Sequence, residues 1–361
     1  MSITTNTRQR NINIEYVRLI AIFLVILNHY SLLGGFYYSD PLSFNAVLIQ
    51  FLHSGGKFGV NVFILISGFF MYKSEKINVR HISKFLLEVT FYSVIFAIIG
   101  FLFHTLKFKG IVKMLVPIPF VQWPFITFYF LLMCLSLWLN KAMHNLTEKQ
   151  HRILMIGLGL IWCVSPTFLK ADFGVDIFGW YVYIFLLGGY LRRIIDDIKT
   201  PAKKLIGISV LSYGFILLSE LVIDYIGAHY MWSILKYAEH FRKVNSFFIV
   251  LSAVTLLAGA AKLRPRYSAF VQTVSSTILG VFLIHDNKAM IPLLWRRLLR
   301  SYQFTSSKIL ILHAFGSCIL VFVVCVLLDL IRQKTVGKLE DKLLGSRIEK
   351  LDEKINSYIL Q

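Results

Sequence analysis

The sequence predicts an all-α, polytopic membrane bundle of about ten transmembrane helices. Three observations carry that expectation. Of the 361 residues, 57% are hydrophobic and 16% charged, with a mean hydropathy of +0.67, whereas soluble domains run at roughly 45–50% apolar and about 25% charged. Apolar runs long enough to cross a hydrocarbon core of roughly 30 Å recur along the chain. The intervening segments alternate between basic and less basic, as loops on the two sides of a membrane do.

Taken in order, the runs are 14–34, 58–72, 85–103, 123–139, 153–169, 178–191, 205–226, 245–261, 273–291 and 309–331. The first follows a basic start (Arg8, Arg10), exceeds signal-peptide length and shows no small-residue cleavage site, so it reads as a retained signal-anchor. The second, fifth and sixth are short, which suits helices held inside a bundle or lining a watered cavity. With the N-terminus inside, 24 Lys and Arg fall in the inner segments against 13 on the outer side, Lys288 near the outer end of the ninth run included. That bias places both termini in the cytoplasm of a multi-pass cell-membrane protein. Arg296, Arg297 and Arg300 run against it and suit an interfacial helix facing an anionic ligand or headgroups. Residues 1–331 form the transmembrane unit. Residues 332–361, with their Lys-Leu-Glu-Asp-Lys-Leu-Leu pattern, form a cytoplasmic amphipathic tail.

The net charge of +19 therefore belongs to loops and tail, and no soluble module is present on which a nucleic-acid footprint would sit. Cys134, Cys163, Cys318 and Cys325 lie in apolar runs without metal or disulfide spacing. His104, His229 and His240 lack metal-ligand spacing too, so no metal is expected. Asn145-Leu146-Thr147 matches a sequon but falls in an inner loop.

Chemistry concentrates in the first run. Arg18 and His29 are eleven residues apart, which on a helix puts them within about 20° of one face and roughly 16 Å from each other. Ionisable groups inside a membrane segment are expensive and commonly functional. A snorkelling arginine and a packing histidine would explain each residue singly; the shared face favours a site. The stretch Gly55 to Phe63 runs from a loop into the second run; its glycines, with Gly68 near the far end, allow close helix packing, and Asn61 requires a hydrogen-bond partner. Arg80 and Lys84, at i,i+4 and followed by Glu88, are either an ordinary basic flank or a cradle for a donor's phosphates. Trp123 to Tyr129 opens the fourth run as an aromatic belt that is also able to border a sugar groove. His285 and Asp286 stand near the outer end of the ninth. Adjacent helical residues diverge by about 100°, so Asp286 is badly placed to orient His285. His285 is expected in a structural or acceptor-side role.

Together, Arg18-x10-His29, Gly59-Val60-Asn61-Val62-Phe63 with Ser67-Gly68-Phe69, and Leu279-Gly280-Val281-Phe282-Leu283-Ile284-His285 resemble the signatures of the acyltransferase-3 family of integral membrane O-acyltransferases. Trp123 to Tyr129 and Gly188 to Arg192 are similar to a branch that modifies bacterial capsules and exopolysaccharides. The resemblance spans about residues 14–331. Two departures stand out: Asn61 replaces the Asp of many relatives, and the third helix lacks their fuller Arg-rich, Pro-ended start.

The resemblance implies an acetyltransferase taking acetyl-CoA from the cytoplasm as co-substrate and acylating a hydroxyl of a cell-surface glycan or lipid-linked oligosaccharide. Arg18, with Arg80 and Lys84, would hold the donor. His29 would act as general base or carry the acyl group itself. Trp123, Tyr129, His285 and Asn61 would lie on the acceptor side. The rival reading is a flippase for an anionic lipid-linked sugar, guided by the same charges; acylation of a small cytoplasmic or lipid acceptor is a third.

Overall fold

A computed structural model describes residues 11–38, 40 and 42–360; Arg8 and Arg10 lie outside them. The helices, in chain order, are α1 (Ile12–Leu33), α2 (Phe44–His53), α3 (Gly55–Met71), α4 (Val79–Leu102), α5 (Phe108–Leu115), α6 (Pro124–Asn145), α7 (Glu148–Gly159), α8 (Ile177–Ile194), α9 (Ala202–His229), α10 (Phe247–Lys262), α11 (Ala269–Ser275), α12 (Ile278–His285) and α13 (Leu310–Leu360). Among the described residues no strand occurs. The chain is an all-α polytopic membrane protein.

Eight helical stretches are long and apolar enough to cross a membrane. Nine of the ten runs fall on one helical stretch each, and the ninth is divided between α11 and α12 by a turn at Ser276 and Thr277. The two beyond those eight fall on α8, of 18 residues, and on the shorter apolar stretch Ala269–His285. The short second run is part of a longer path, because α2 leads through Ser54 directly into α3 and the pair covers Phe44–Met71. The fifth run extends α7 through a π-helical stretch, Leu160–Leu169, which holds Pro166.

Local chemistry explains the helix starts. Asn11 caps α1 by accepting from the Asn13 N–H, and Asn78 caps α4 by accepting from His81. Pro124 opens α6 where its missing N–H costs nothing. Thr147 and Gln150 form a reciprocal capping box at α7.

The centre of the bundle is α3, packed against α1, α8 and α10. Its glycines let backbones touch: a methyl at Gly68 would strike the Phe185 carbonyl of α8, and one at Gly59 would stand 2.9 Å from the Ala21 carbonyl of α1. Asn61, fully buried, donates to the Val244 carbonyl at 2.7 Å and accepts from Trp180 Nε1 at 3.0 Å. It thereby ties α3 to α8 and to the approach to α10.

The last helix continues well past residue 331. Near its middle Arg332 is buried and reaches Asp329 at 2.7 Å, Glu88 of α4 at 3.0 Å and Glu340 at 3.3 Å. Non-helical dihedrals at Gly345 then turn the chain. Beyond the kink, Asp352 accepts from the Val79 N–H at 2.8 Å, and Asn356 exchanges two hydrogen bonds with the backbone of Ile77. The amphipathic tail is thus docked on the start of α4.

Candidate active site

Helix α1 carries His29 to the C-terminal end of α12. There His29 Nδ1 lies 3.0 Å from His285 Nε2, and His285 Nδ1 lies 2.6 Å from the Val281 carbonyl. The partners decide where the protons sit. A carbonyl only accepts, so His285 Nδ1 bears hydrogen; in the uncharged ring its Nε2 is then an acceptor. His29 must therefore donate through Nδ1, which leaves the Nε2 lone pair of His29 unprotonated. Asp286 Oδ1 stands 3.5 Å from that same Nε2. A proton taken up at Nε2 would face a carboxylate, while His285, with no exposed surface, fixes the ring from behind.

This arrangement gives Asp286 a partner that the spacing alone does not name. Asp286 does not orient His285, as the 100° divergence requires. It instead meets His29 across the helix boundary, because α12 ends at His285 and the Asp286 backbone has left the helix (φ −98°, ψ 14°). An acid immediately after the last helical residue was the signal available in the sequence.

Below this cluster a cavity of about 1270 Å³ opens on the face where α1 begins. Its outer part is basic: Arg18, Lys73, Lys84, Arg192, Lys262 and Arg264 line it, with Glu15, Glu88 and Asp196 interspersed. Arg18 pairs with Glu15 at 3.3 Å and stands 5.5 Å from the Phe70 ring centre, so its guanidinium is braced at the wall. The cavity's apolar lining comprises Ile22, Phe63, Phe125, Ile126, Leu279 and Phe282. His29 is not among the lining residues. Phe282 links the two regions, lining the cavity while its ring centre lies 6.4 Å from that of His29 and 5.9 Å from that of His285.

One polar pair interrupts the apolar wall. Ser67 Oγ donates to the Phe63 carbonyl at 2.9 Å, so the Tyr129 hydroxyl, 2.9 Å from Ser67 Oγ, supplies the proton of their contact. Tyr129 is itself a lining residue, so its hydroxyl keeps acceptor capacity at the cavity wall after this donation.

The other expected residues are dispersed. Lys84 lines the cavity, but Arg80 points to the docked tail and pairs with Glu349 at 3.7 Å. Trp123, 2% exposed, is packed into the core at the start of α6, whereas Tyr129 faces the basic cavity from deeper in the same helix. Asn61 is committed to Trp180 and Val244. The cavity cations Lys73, Lys262 and Arg264 have no distinguishing signal in the sequence, where each is one more positive residue at a helix end, and Arg192 stands out there only as the end of the Gly188 to Arg192 stretch. Among the described residues no group of three or more His, Cys, Asp or Glu is placed to hold a metal ion.

A family model described as an acyltransferase domain matches residues 11–330, which takes in the cavity and the histidine cluster. No curated protein and no solved structure matches the chain.

Proposed function

The chain belongs to the acyltransferase-3 family, and from that premise we propose that it is an O-acetyltransferase of the cell membrane. In this reading both termini face the cytoplasm, acetyl-CoA enters the basic cavity from that side, and the acceptor is a hydroxyl of a cell-surface polysaccharide. The observation that carries it is the continuity from six cationic side chains, along an apolar channel, to the ring that abuts a histidine with a free lone pair.

The donor's phosphates suit Arg18, Lys84, Arg192 and Lys262, since cations that are partly desolvated bind phosphate oxygens strongly. Roughly 16 Å of helix separates Arg18 from His29, a span suited to an extended pantetheine arm. Tyr129 offers an acceptor to an amide N–H of that arm. The acceptor hydroxyl approaches from the opposite face. His29 Nε2 removes its proton as the oxygen attacks the thioester carbonyl. Asp286 stabilises the imidazolium that forms, and His285 keeps the tautomer, a division of labour like that of a catalytic triad. The C–S bond breaks, and the proton passes from His29 to the departing thiolate. Atoms and charge balance without a metal.

The same lone pair would also be the nucleophile of an acyl-histidine route. Donor alone distinguishes the two: the base route leaves His29 unmodified when intact protein is weighed after incubation with acetyl-CoA.

The test of function is NMR of surface polysaccharide from cells with the gene, without it, and with His29→Ala at matched membrane abundance. Acetyl signals should vanish in the last two while polysaccharide quantity stays constant. Retained acetylation in His29→Ala would refute the assignment, and loss of the polysaccharide itself would favour a flippase.

A further inference from the structure

We infer that Phe282 sets the length of the acyl group, restricting the enzyme to acetyl; the inference rests on the reading above. The inner end of the cavity is built from Phe63, Phe125, Ile126, Leu279 and Phe282. Phe282 is 8% exposed and packs against Phe125 with ring centres 5.3 Å apart. On its other side the His29 ring centre is 6.4 Å away. Rings in such contact leave no layer for a further carbon chain between them. A thioester carbonyl brought from the cavity toward His29 must therefore carry its acyl tail past the Phe282 ring, and that ring is where we place the limit on its length.

The neighbours make the ring an effective stop. Asp329 is pressed against Gly280, two residues before Phe282, where any added methyl would strike its carboxyl group. Asp329 is itself held by Arg332 at 2.7 Å and by the Tyr92 hydroxyl at 2.8 Å. Helix α12 is thus pinned to α13 beneath the ring, and the backbone has little freedom to retreat before a longer acyl group. Transfer of any acyl group follows the same balance: the C–O bond forms, C–S breaks, and the hydroxyl proton reaches the thiolate through His29.

A methylene excluded from an apolar pocket changes kcat/KM by roughly 10- to 200-fold. Purified protein in lipid nanodiscs would be given acetyl-, propanoyl- and butanoyl-CoA with one glycan acceptor. The quantity read is the acetyl-to-butanoyl ratio of kcat/KM, which is insensitive to a uniform loss of rate. Wild type should favour acetyl by about 100-fold or more, and Phe282→Ala should reduce that to within about 10-fold. Phe282→Leu, which keeps an aliphatic side chain in the core and guards against collapse, should give an intermediate ratio. An unchanged ratio in the Leu variant overturns the inference while leaving the acetyltransferase reading intact. Wild type that uses no acyl-CoA at all overturns that reading, and this inference with it.

Discussion

Replacing Asp286 with Asn removes one negative charge and almost no volume, at a site 3.5 Å from His29 Nε2. In the ground state His29 is uncharged and little is lost. In the transition state the ring is an imidazolium, and unit charges at this separation attract by about 4–5 kcal/mol in a medium of effective dielectric near 20. The His29 and Asp286 side chains keep 15% and 23% of their surface exposed, so water screens part of that. Taking about half, 2–3 kcal/mol of transition-state stabilisation should disappear, and each 1.4 kcal/mol is roughly tenfold. Asp286→Asn should therefore lower kcat by roughly 30- to 150-fold with KM for acetyl-CoA nearly unchanged, because the interaction exists only once the proton has moved. Thiol release measured in nanodiscs at saturating donor gives both constants. A kcat within threefold of wild type would refute the claim that the carboxylate supports a charged His29.

The remaining substitutions separate binding, tautomer control and scaffold. Arg18→Gln should raise KM for acetyl-CoA by roughly 10- to 100-fold with a smaller effect on kcat, as expected when a charge-assisted contact worth about 1.5–3 kcal/mol is lost; the same assay reads it, and a kcat-only defect would contradict the donor cradle. His285→Phe should lower kcat by at least roughly tenfold without altering donor binding measured by calorimetry, because His29 loses the acceptor that fixes its tautomer. Asn61→Ala leaves the buried Trp180 N–H and Val244 carbonyl unpaired, a cost of about 1–3 kcal/mol that should appear as a lower Tm in detergent while donor KM is kept.

Much of this architecture was legible from hydropathy and helical period alone. The ten apolar runs lie on helices because an apolar segment in lipid satisfies its backbone within itself by coiling. The common face of Arg18 and His29 followed from a spacing of eleven, and the need of Asn61 for a partner followed from its apolar surroundings. What sequence could not supply was contact between helices distant in the chain. The His29–Asp286 pair joins residues 257 positions apart. Arg80 and Lys84 share a face as i,i+4 neighbours, yet the tail folds back and offers Glu349 to Arg80. The continuity of α2 with α3 hid behind Ser54-Gly55-Gly56, which reads as a loop and folds as a helical junction.

The docked C-terminus carries a mechanical consequence. Asp352 and Asn356 clasp the backbone at Ile77 and Val79, and a few residues further along the same helix Lys84 reaches the cavity wall. Any force that peels the final turns away, whether a fused protein, a protease or an approaching headgroup, must first break this clasp and so loosens the threshold over which a donor would have to step.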